Sequence, residues 1–180
     1  MRVISGTARG TVLKTPDGML TRPTADRVKE ALFSILQFEL PGARVLDLFG
    51  GTGQLGIEAL SRGANYATFV DLREDACALI RENLRRTRFT DCSAVVRSDY
   101  KMYLQNCNEK FHIILLDPPY AEVFLENSLK MITEIDILQS GGIIVLEHPI
   151  EKTFNAEIEG YLSPRKYKYG NTFLTLYRKK

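Results

Sequence analysis

Histidine and cysteine are scarce in this chain of 180 residues, which holds two of the first and three of the second. Cys77, Cys92 and Cys107 are odd in number and none belongs to a Cys-x-x-Cys pair, so neither a disulfide framework nor a zinc site is expected. With only His112 and His148 beside them, a histidine-rich metal site is excluded too, and the thiols read as reduced and partly buried. No apolar run is long enough to cross a bilayer; Ile113 to Leu116 and Ile143 to Leu146 have the length of buried strands. The amino terminus, Met1-Arg2-Val3-Ile4-Ser5-Gly6, lacks the apolar stretch of a signal peptide, so a cytoplasmic location without membrane contact is the expectation. Repeats and low-complexity segments are absent as well.

Acid is missing from one stretch in particular. Residues 161–180 carry six basic groups (Arg165, Lys166, Lys168, Arg178, Lys179, Lys180) and no carboxylate. Residues 1–29 carry six more (Arg2, Arg9, Lys14, Arg22, Arg27, Lys29) against Asp17 and Asp26. The remaining middle holds 12 basic and 20 acidic residues, so an acidic body is flanked by two basic ends while the whole chain is only +2. Such asymmetry suits a polyanion, because lysine and arginine neutralise phosphates and release their counterions. The competing reading is that charged termini serve solubility.

What is present is an ordinary globular composition, 44% hydrophobic and 26% charged, at a length suited to one domain. Short apolar runs alternate with helical patterns, which predicts an α/β fold with a mostly parallel sheet covered on both faces. The expected strands are Arg44–Leu48, Ala67–Asp71, Ala94–Arg97, Phe111–Leu116 and Ile143–Glu147, separated by helices near 55–61, 74–87, 102–106 and 124–132. Ahead of them, Arg2–Ser5 and Thr11–Lys14 read as a hairpin turned by Gly6 and Gly10. A helix capped by Thr24 follows, with Val28, Ala31, Leu32, Ile35 and Leu36 on one face, until Pro41-Gly42 ends it. Residues 1–41 are thus expected as an extension and 42–180 as one catalytic unit. Lys166–Tyr169 and Thr172–Tyr177, joined by Gly170-Asn171, read as an antiparallel hairpin closing the sheet edge.

Val45 to Gly56 is a strand, a glycine-rich loop and a helix start, where a parallel sheet binds its ligand. Gly51, Gly53 and Gly56 fit the Gly-x-Gly-x-x-Gly spacing, which alone is also compatible with an NAD-type dinucleotide-binding domain. Asp47 discriminates: a carboxylate at this strand end repels a pyrophosphate and suits the ammonium and sulfonium of S-adenosylmethionine. Asp71, at the next strand end, is placed for ribose hydroxyls. Asp99, after the third strand, is placed either for an adenine amino group or as the cap of a helix over 100–106, and the two roles are compatible.

The fourth strand runs straight into Asp117-Pro118-Pro119-Tyr120. Proline contributes no N–H, so the Pro118 carbonyl and the Asp117 carboxylate form an acceptor socket for an NH2 group, with Tyr120 free to stack on a flipped base. An aromatic amine needs such a socket because its lone pair is delocalised into the ring. His112 reads as a core or edge residue, His148 as part of a turn with Pro149, and Arg81, Arg85 and Arg88 as a solvated helix face.

The chain resembles the bacterial RsmD-type methyltransferases, which methylate N2 of a guanine in 16S ribosomal RNA. The resemblance runs through Gly6-x-x-Arg9-Gly10, Arg22-Pro23-Thr24 with Ala31-Leu32-Phe33, the loop from Asp47 to Gly53, Leu60 to Ala64, Leu115 to Tyr120, and Gly170-Asn171-Thr172. It departs where Gly50 and Thr52 replace the common alanine and serine, and where Asp71 replaces a frequent glutamate. It implies a Rossmann-like class I methyltransferase with a seven-stranded sheet, using S-adenosylmethionine and acting as a monomer on the small ribosomal subunit or an assembly intermediate. Asp47, Phe49, Gly50, Gly51, Gly53, Asp71, Leu72, Asp99 and Tyr100 are the expected cofactor residues, and Asp117, Pro118, Pro119 and Tyr120 the catalytic ones. Arg2, Arg9, Lys14, Arg22, Arg27, Arg165, Lys166 and Lys168 are the expected RNA contacts. An adenine-N6 or protein-amide methyltransferase would use a similar socket.

Overall fold

In the computed structural model, which describes residues 1–16, 23–118, 121–152, 154 and 156–180, seven strands form one sheet. They are β1 (Arg44–Asp47), β2 (Tyr66–Asp71), β3 (Ser93–Arg97), β4 (Phe111–Leu116), β5 (Leu138–Pro149), β6 (Arg165–Tyr169) and β7 (Thr172–Arg178). Their order is β3-β2-β1-β4-β5-β7-β6, with β1 to β5 mutually parallel and β7 antiparallel to both of its neighbours. This is the expected Rossmann-like sheet with an antiparallel edge hairpin.

The helices are α1 (Pro23–Ile35), α2 (Gln54–Ser61), α3 (Glu74–Thr87), α4 (Tyr100–Gln105) and α5 (Ala121–Ile135). Because strand side chains alternate between faces, the sheet builds two cores. Val45, Ile113, Leu115, Ile143 and Val145 face α1, α2 and α3, packing with Leu32, Phe33, Ile57 and Ile80. Leu46, Ile114, Leu116, Ile144 and Leu146 face α4 and α5, packing with Leu104, Leu125 and Leu129. The amino-terminal segment joins the first core through Val3 and Leu13, each nearly inaccessible.

Several boundaries differ from expectation. The amino-terminal hairpin forms a single bridge, Arg2 to Val12, supported by Val3 N–H donating to Thr11 O at 3.0 Å and Gly10 N–H to Val3 O at 2.9 Å. No longer ladder forms because the N–H groups of Ile4 and Ser5 donate instead to the Glu58 carboxylate, at 2.8 and 3.0 Å. Helix α1 begins at Pro23, so Thr24 lies inside its first turn rather than at its cap; proline is favoured there because the first N–H has no helical partner. It ends at Ile35, short of Pro41: Leu36 still donates to Leu32 O, then Glu39 N–H bonds to Leu36 O at 2.8 Å and tightens the chain out of the helix. Helix α4 starts at Tyr100, capped by Asp99, as expected of a helix over 100–106 and two residues ahead of its periodic core. Both α5 and β5 run longer than their periodic cores suggested.

Candidate active site

Three acids stand at the carboxyl ends of three adjacent strands. Asp47 follows Leu46 in β1, and Asp117 and Glu147 follow Leu116 and Leu146, which are in register across β4 and β5. Strand neighbours lie roughly 4.8 Å apart, so Asp117 and Glu147 are side by side. By alternation with Val45, Leu115 and Val145, all three belong to the face that carries α1, α2 and α3.

Asp47 is 2% exposed and its Oδ2 accepts one bond, from Gly56 N–H at 3.1 Å. Burial pushes its pKa up to about 8; the Gly56 bond opposes this, and the charges of Asp117 and Asp71 add to it. A cationic group beside it would favour the ionised form. Burial likewise lifts Asp117 and Glu147 above the usual carboxylate range, and the charge of Asp117 raises Glu147 further. Two carboxyls so close resist ionising together.

The glycine loop is shaped by its backbone. Gly51 and Gly53 have φ values of +55° and +78°, which a side chain disfavours, and Gly53 N–H turns back to Gly50 O at 2.6 Å. A Cβ on Gly56 would lie 2.3 Å from the Phe69 ring, so this third glycine lets α2 press onto β2. Asp71 braces the loop from the next strand: its Oδ2 accepts from Gly51 N–H and its Oδ1 from Arg73 N–H, both at 2.9 Å. Leu72 beside it is 63% exposed, on the rim. Asp99 caps α4 with Oδ1, accepting from Lys101 N–H at 2.9 Å and Met102 N–H at 3.4 Å, so the capping role holds. Phe49 and Tyr100 are 5.4 Å apart between ring centroids, and Phe124 of α5 lies 5.7 Å from Tyr100 in an edge-on arrangement. The expected cofactor residues Asp47, Phe49, Gly50, Gly51, Gly53, Asp71, Leu72, Asp99 and Tyr100 thus lie at or just after the carboxyl ends of the three adjacent strands β1, β2 and β3.

At the socket, Pro118 is buried directly after Asp117. Pro119, Tyr120 and the RNA candidate Arg22 lie outside the described residues. His148 is a structural residue: it is buried, Nε2 pairs with Thr175 Oγ1 at 2.8 Å, and its ring packs 4.7 Å from Phe154. His112 accepts from Arg44 N–H through Nδ1 at the opposite strand ends.

The basic candidates divide between two faces. Arg2, Arg9 and Arg27 are exposed and line one groove of about 320 Å³ with Asp26 and Glu30. Arg165 alternates in phase with Tyr167 and Tyr169, which pack on the first core, whereas Lys166 and Lys168 are out of phase and belong to the opposite face. Among the described residues Arg2, Arg9, Lys14, Arg27, Arg165, Lys166 and Lys168 make no close ion pair, while Arg81, Arg85 and Arg86 of α3 pair with Glu74 and Glu82.

Three polar residues escaped the sequence reading. Glu147 is an acid ending an apolar strand, the same signal that singled out Asp47 and Asp117. Glu58 is fully buried in α2 and accepts from Ile4 N–H, Ser5 N–H and Arg62 Nε, the last at 2.8 Å. An acid inside the Leu55 to Leu60 run was its trace. Asn83, fully buried in α3, bonds to both Lys14 and Thr52 and left no local signal. Beside Glu58, Gly6 sits at φ +83° where a Cβ would fall 1.7 Å from Ser61 O, which explains the glycine in the first motif.

Comparisons with known proteins agree with this geometry. The family model described as "Conserved hypothetical protein 95" matches residues 1–178. YlbH of Bacillus subtilis is 40% identical over the full length of both chains. "Ribosomal RNA small subunit methyltransferase D" of Escherichia coli is 33% identical, over 84% of this chain and 76% of its own. The solved structure of YhhF from Escherichia coli superposes with a TM-score of 0.90 at 29% identity, covering 100% of this chain and 98% of that one. With its loop, its acid-tipped strands and its amino-terminal segment all inside that match, the chain belongs to the Conserved hypothetical protein 95 family, that of the RsmD-type methyltransferases.

Proposed function

We propose that this chain is an S-adenosylmethionine-dependent methyltransferase that modifies the exocyclic N2 amine of a guanine in 16S ribosomal RNA, on the small subunit or its precursor. The observation that carries this reading is the pair of acids, Asp117 and Glu147, in register at the ends of β4 and β5 beside the glycine loop. Guanine places an N1–H donor next to its N2 amine, so two adjacent acceptors match that edge. Adenine flanks its amine with lone pairs and offers no second N–H on that edge, so the second acceptor finds a donor only on guanine. The name of the Escherichia coli relative supports the small-subunit RNA as the substrate.

Bound S-adenosylmethionine supplies an electrophilic methyl group on its sulfonium. The chain's residues fit it: Asp47 is a buried carboxylate suited to its cationic end, Gly51 and Gly53 let backbone approach, and Asp71 retains acceptor lone pairs for ribose. Phe49, Tyr100 and Leu72 supply apolar surface for the adenosine, with Asp99 at its amino group. Asp117 and the Pro118 carbonyl accept from the two amino protons, which favours a pyramidal nitrogen with its lone pair free to attack. Glu147 accepts from N1–H and fixes the base in the plane of that socket. Pro119 and Tyr120 are assigned with them from the sequence motif, Tyr120 as the aromatic that stacks on a flipped base. As the new bond forms, the nitrogen sheds a proton to the Asp117 carboxylate.

Residues 1–41 act as an RNA-gripping extension on the catalytic unit, and one chain holds every group the reaction needs. Arg2, Arg9, Lys14, Arg27 and Arg165 meet phosphates from the active-site face, with Lys166 and Lys168 extending the contact around the sheet edge, and Arg22 is assigned to the same role from the sequence. Unmodified small subunits incubated with labelled cofactor should yield N2-methylguanosine by nucleoside mass spectrometry; N6-methyladenosine, or no nucleoside product, would overturn the assignment. Asp117→Ala should keep affinity for S-adenosylhomocysteine and slow transfer by ~1,000-fold.

A further inference from the structure

We infer that Asn83 is a positioning residue that couples the amino-terminal arm to the cofactor loop, so that the two bind their ligands as one unit. Asn83 sits on α3 and is fully buried. Its amide is used completely. Oδ1 accepts from Lys14 N–H at 2.7 Å, while Nδ2 donates to Lys14 O at 3.0 Å and to Thr52 O at 2.9 Å. Lys14 belongs to the basic arm, and Thr52 lies between Gly51 and Gly53 in the loop. A second thread joins the same partners: Thr52 Oγ1 donates to Met1 Sδ at 3.4 Å, and Met1 O accepts from Leu13 N–H at 3.0 Å.

Backbone bonds hold the loop at its ends, Gly50 N–H to Val70 O at 2.9 Å and Gly53 N–H to Gly50 O at 2.6 Å, but none of them holds the Thr52 carbonyl. Its glycines are conformationally free, and its remaining side-chain tie is Asp71 to Gly51 N–H. Releasing Thr52 O would leave the peptide between Gly51 and Gly53 to sample several conformations, of which one is competent to bind. The arm decides whether Asn83 is held. An arm anchored on phosphates keeps Lys14 in place, Lys14 orients the amide, and the amide fixes the loop. By linkage the effect is reciprocal: cofactor binding stabilises the arm. The inference rests on the reading of this loop as the cofactor site.

Lys14→Pro tests it, since proline removes the N–H that Asn83 accepts while leaving every residue of the cleft untouched. Calorimetry with S-adenosylhomocysteine should show affinity weakened by ~5-fold. Asn83→Asp, which loses both donors and faces two carbonyls with a carboxylate, should weaken it by at least ~10-fold. In the unaltered protein, hydrogen exchange at the Lys14 amide should slow when S-adenosylhomocysteine is added, with the amide of Leu125 on the opposite face unchanged. That measurement stands even where a variant fails to fold. Wild-type affinity in Lys14→Pro, or Lys14 exchange indifferent to the ligand, would overturn the coupling. No binding of S-adenosylhomocysteine by the unaltered protein would instead overturn the cofactor reading itself.

Discussion

Within α2 the Glu58 carboxylate accepts three hydrogen bonds, two from the arm and one from Arg62; at the end of β1 Asp47 accepts, among the described residues, a single backbone bond, from Gly56 in the first turn of that helix. Both acids are out of water. Glu58 replaces its lost hydration with protein donors and so fastens the arm to the helix. Asp47 does not, and its raised pKa records the deficit. Burial alone therefore does not single out Asp47 as the proposed cofactor carboxylate; incomplete satisfaction does.

Removing each acid should separate the two roles by sign. Glu58→Ala strands two buried N–H groups and Arg62, so thermal denaturation should show a loss of about 3 kcal/mol, roughly 6–12 °C for a chain of this size. Equal stability in that variant would erase the contrast. Asp47→Asn should do the reverse. The folded pKa of Asp47, about 8, lies above the ordinary value of 3.8, so its contribution is fully present below about pH 4 and lost as pH rises towards 8. The asparagine variant escapes that loss. At pH 9 it should be more stable than the wild type by roughly 5 kcal/mol, shrinking to nothing near pH 4, while losing S-adenosylhomocysteine affinity.

The same titration sharpens the comparison in the wild-type protein. Pairing with a cation requires ionised Asp47, so below pH 8 ligand binding must release a proton. Calorimetric affinity for S-adenosylhomocysteine should rise with pH from 6 to 8, by up to about ten-fold per unit, and then level off. A flat profile would place the cation elsewhere. Smallest should be the effect at acids satisfied in solvent: Arg85→Ala, which breaks an exposed pair with Glu82, should change stability by less than about 0.5 kcal/mol.

Much of this was legible before the fold was known, for physical reasons. β1, β2, β4 and the core of β5 are buried on both faces and read as unbroken apolar runs, and an acid ending such a run stands out, as Asp47, Asp71 and Asp117 did. The arm was harder to read. Its Ile4 and Ser5 bond to a side chain 50-odd residues away instead of to the opposite strand, a choice made by Glu58 and invisible in local sequence. Asn83 is the extreme case, since an asparagine on a helix has many uses and its partners lie 69 and 31 residues distant. Glu147 was readable by the rule that found Asp117, but it followed the last parallel strand without a proline to draw attention to it.

The β6 strand ends the sheet with one side paired to β7 and, among the described residues, the other open. An open strand offers a row of unpaired N–H and C=O groups on which a second copy could extend the sheet. In this chain that row carries Arg165, Lys166 and Lys168 within five residues, alternating with Tyr167 and Tyr169. Two such edges brought together would set like charges against one another along their whole length. The lysines and arginine that would greet an RNA therefore also guard the protein against its own polymerisation, and neutralising them should cost solubility as well as substrate.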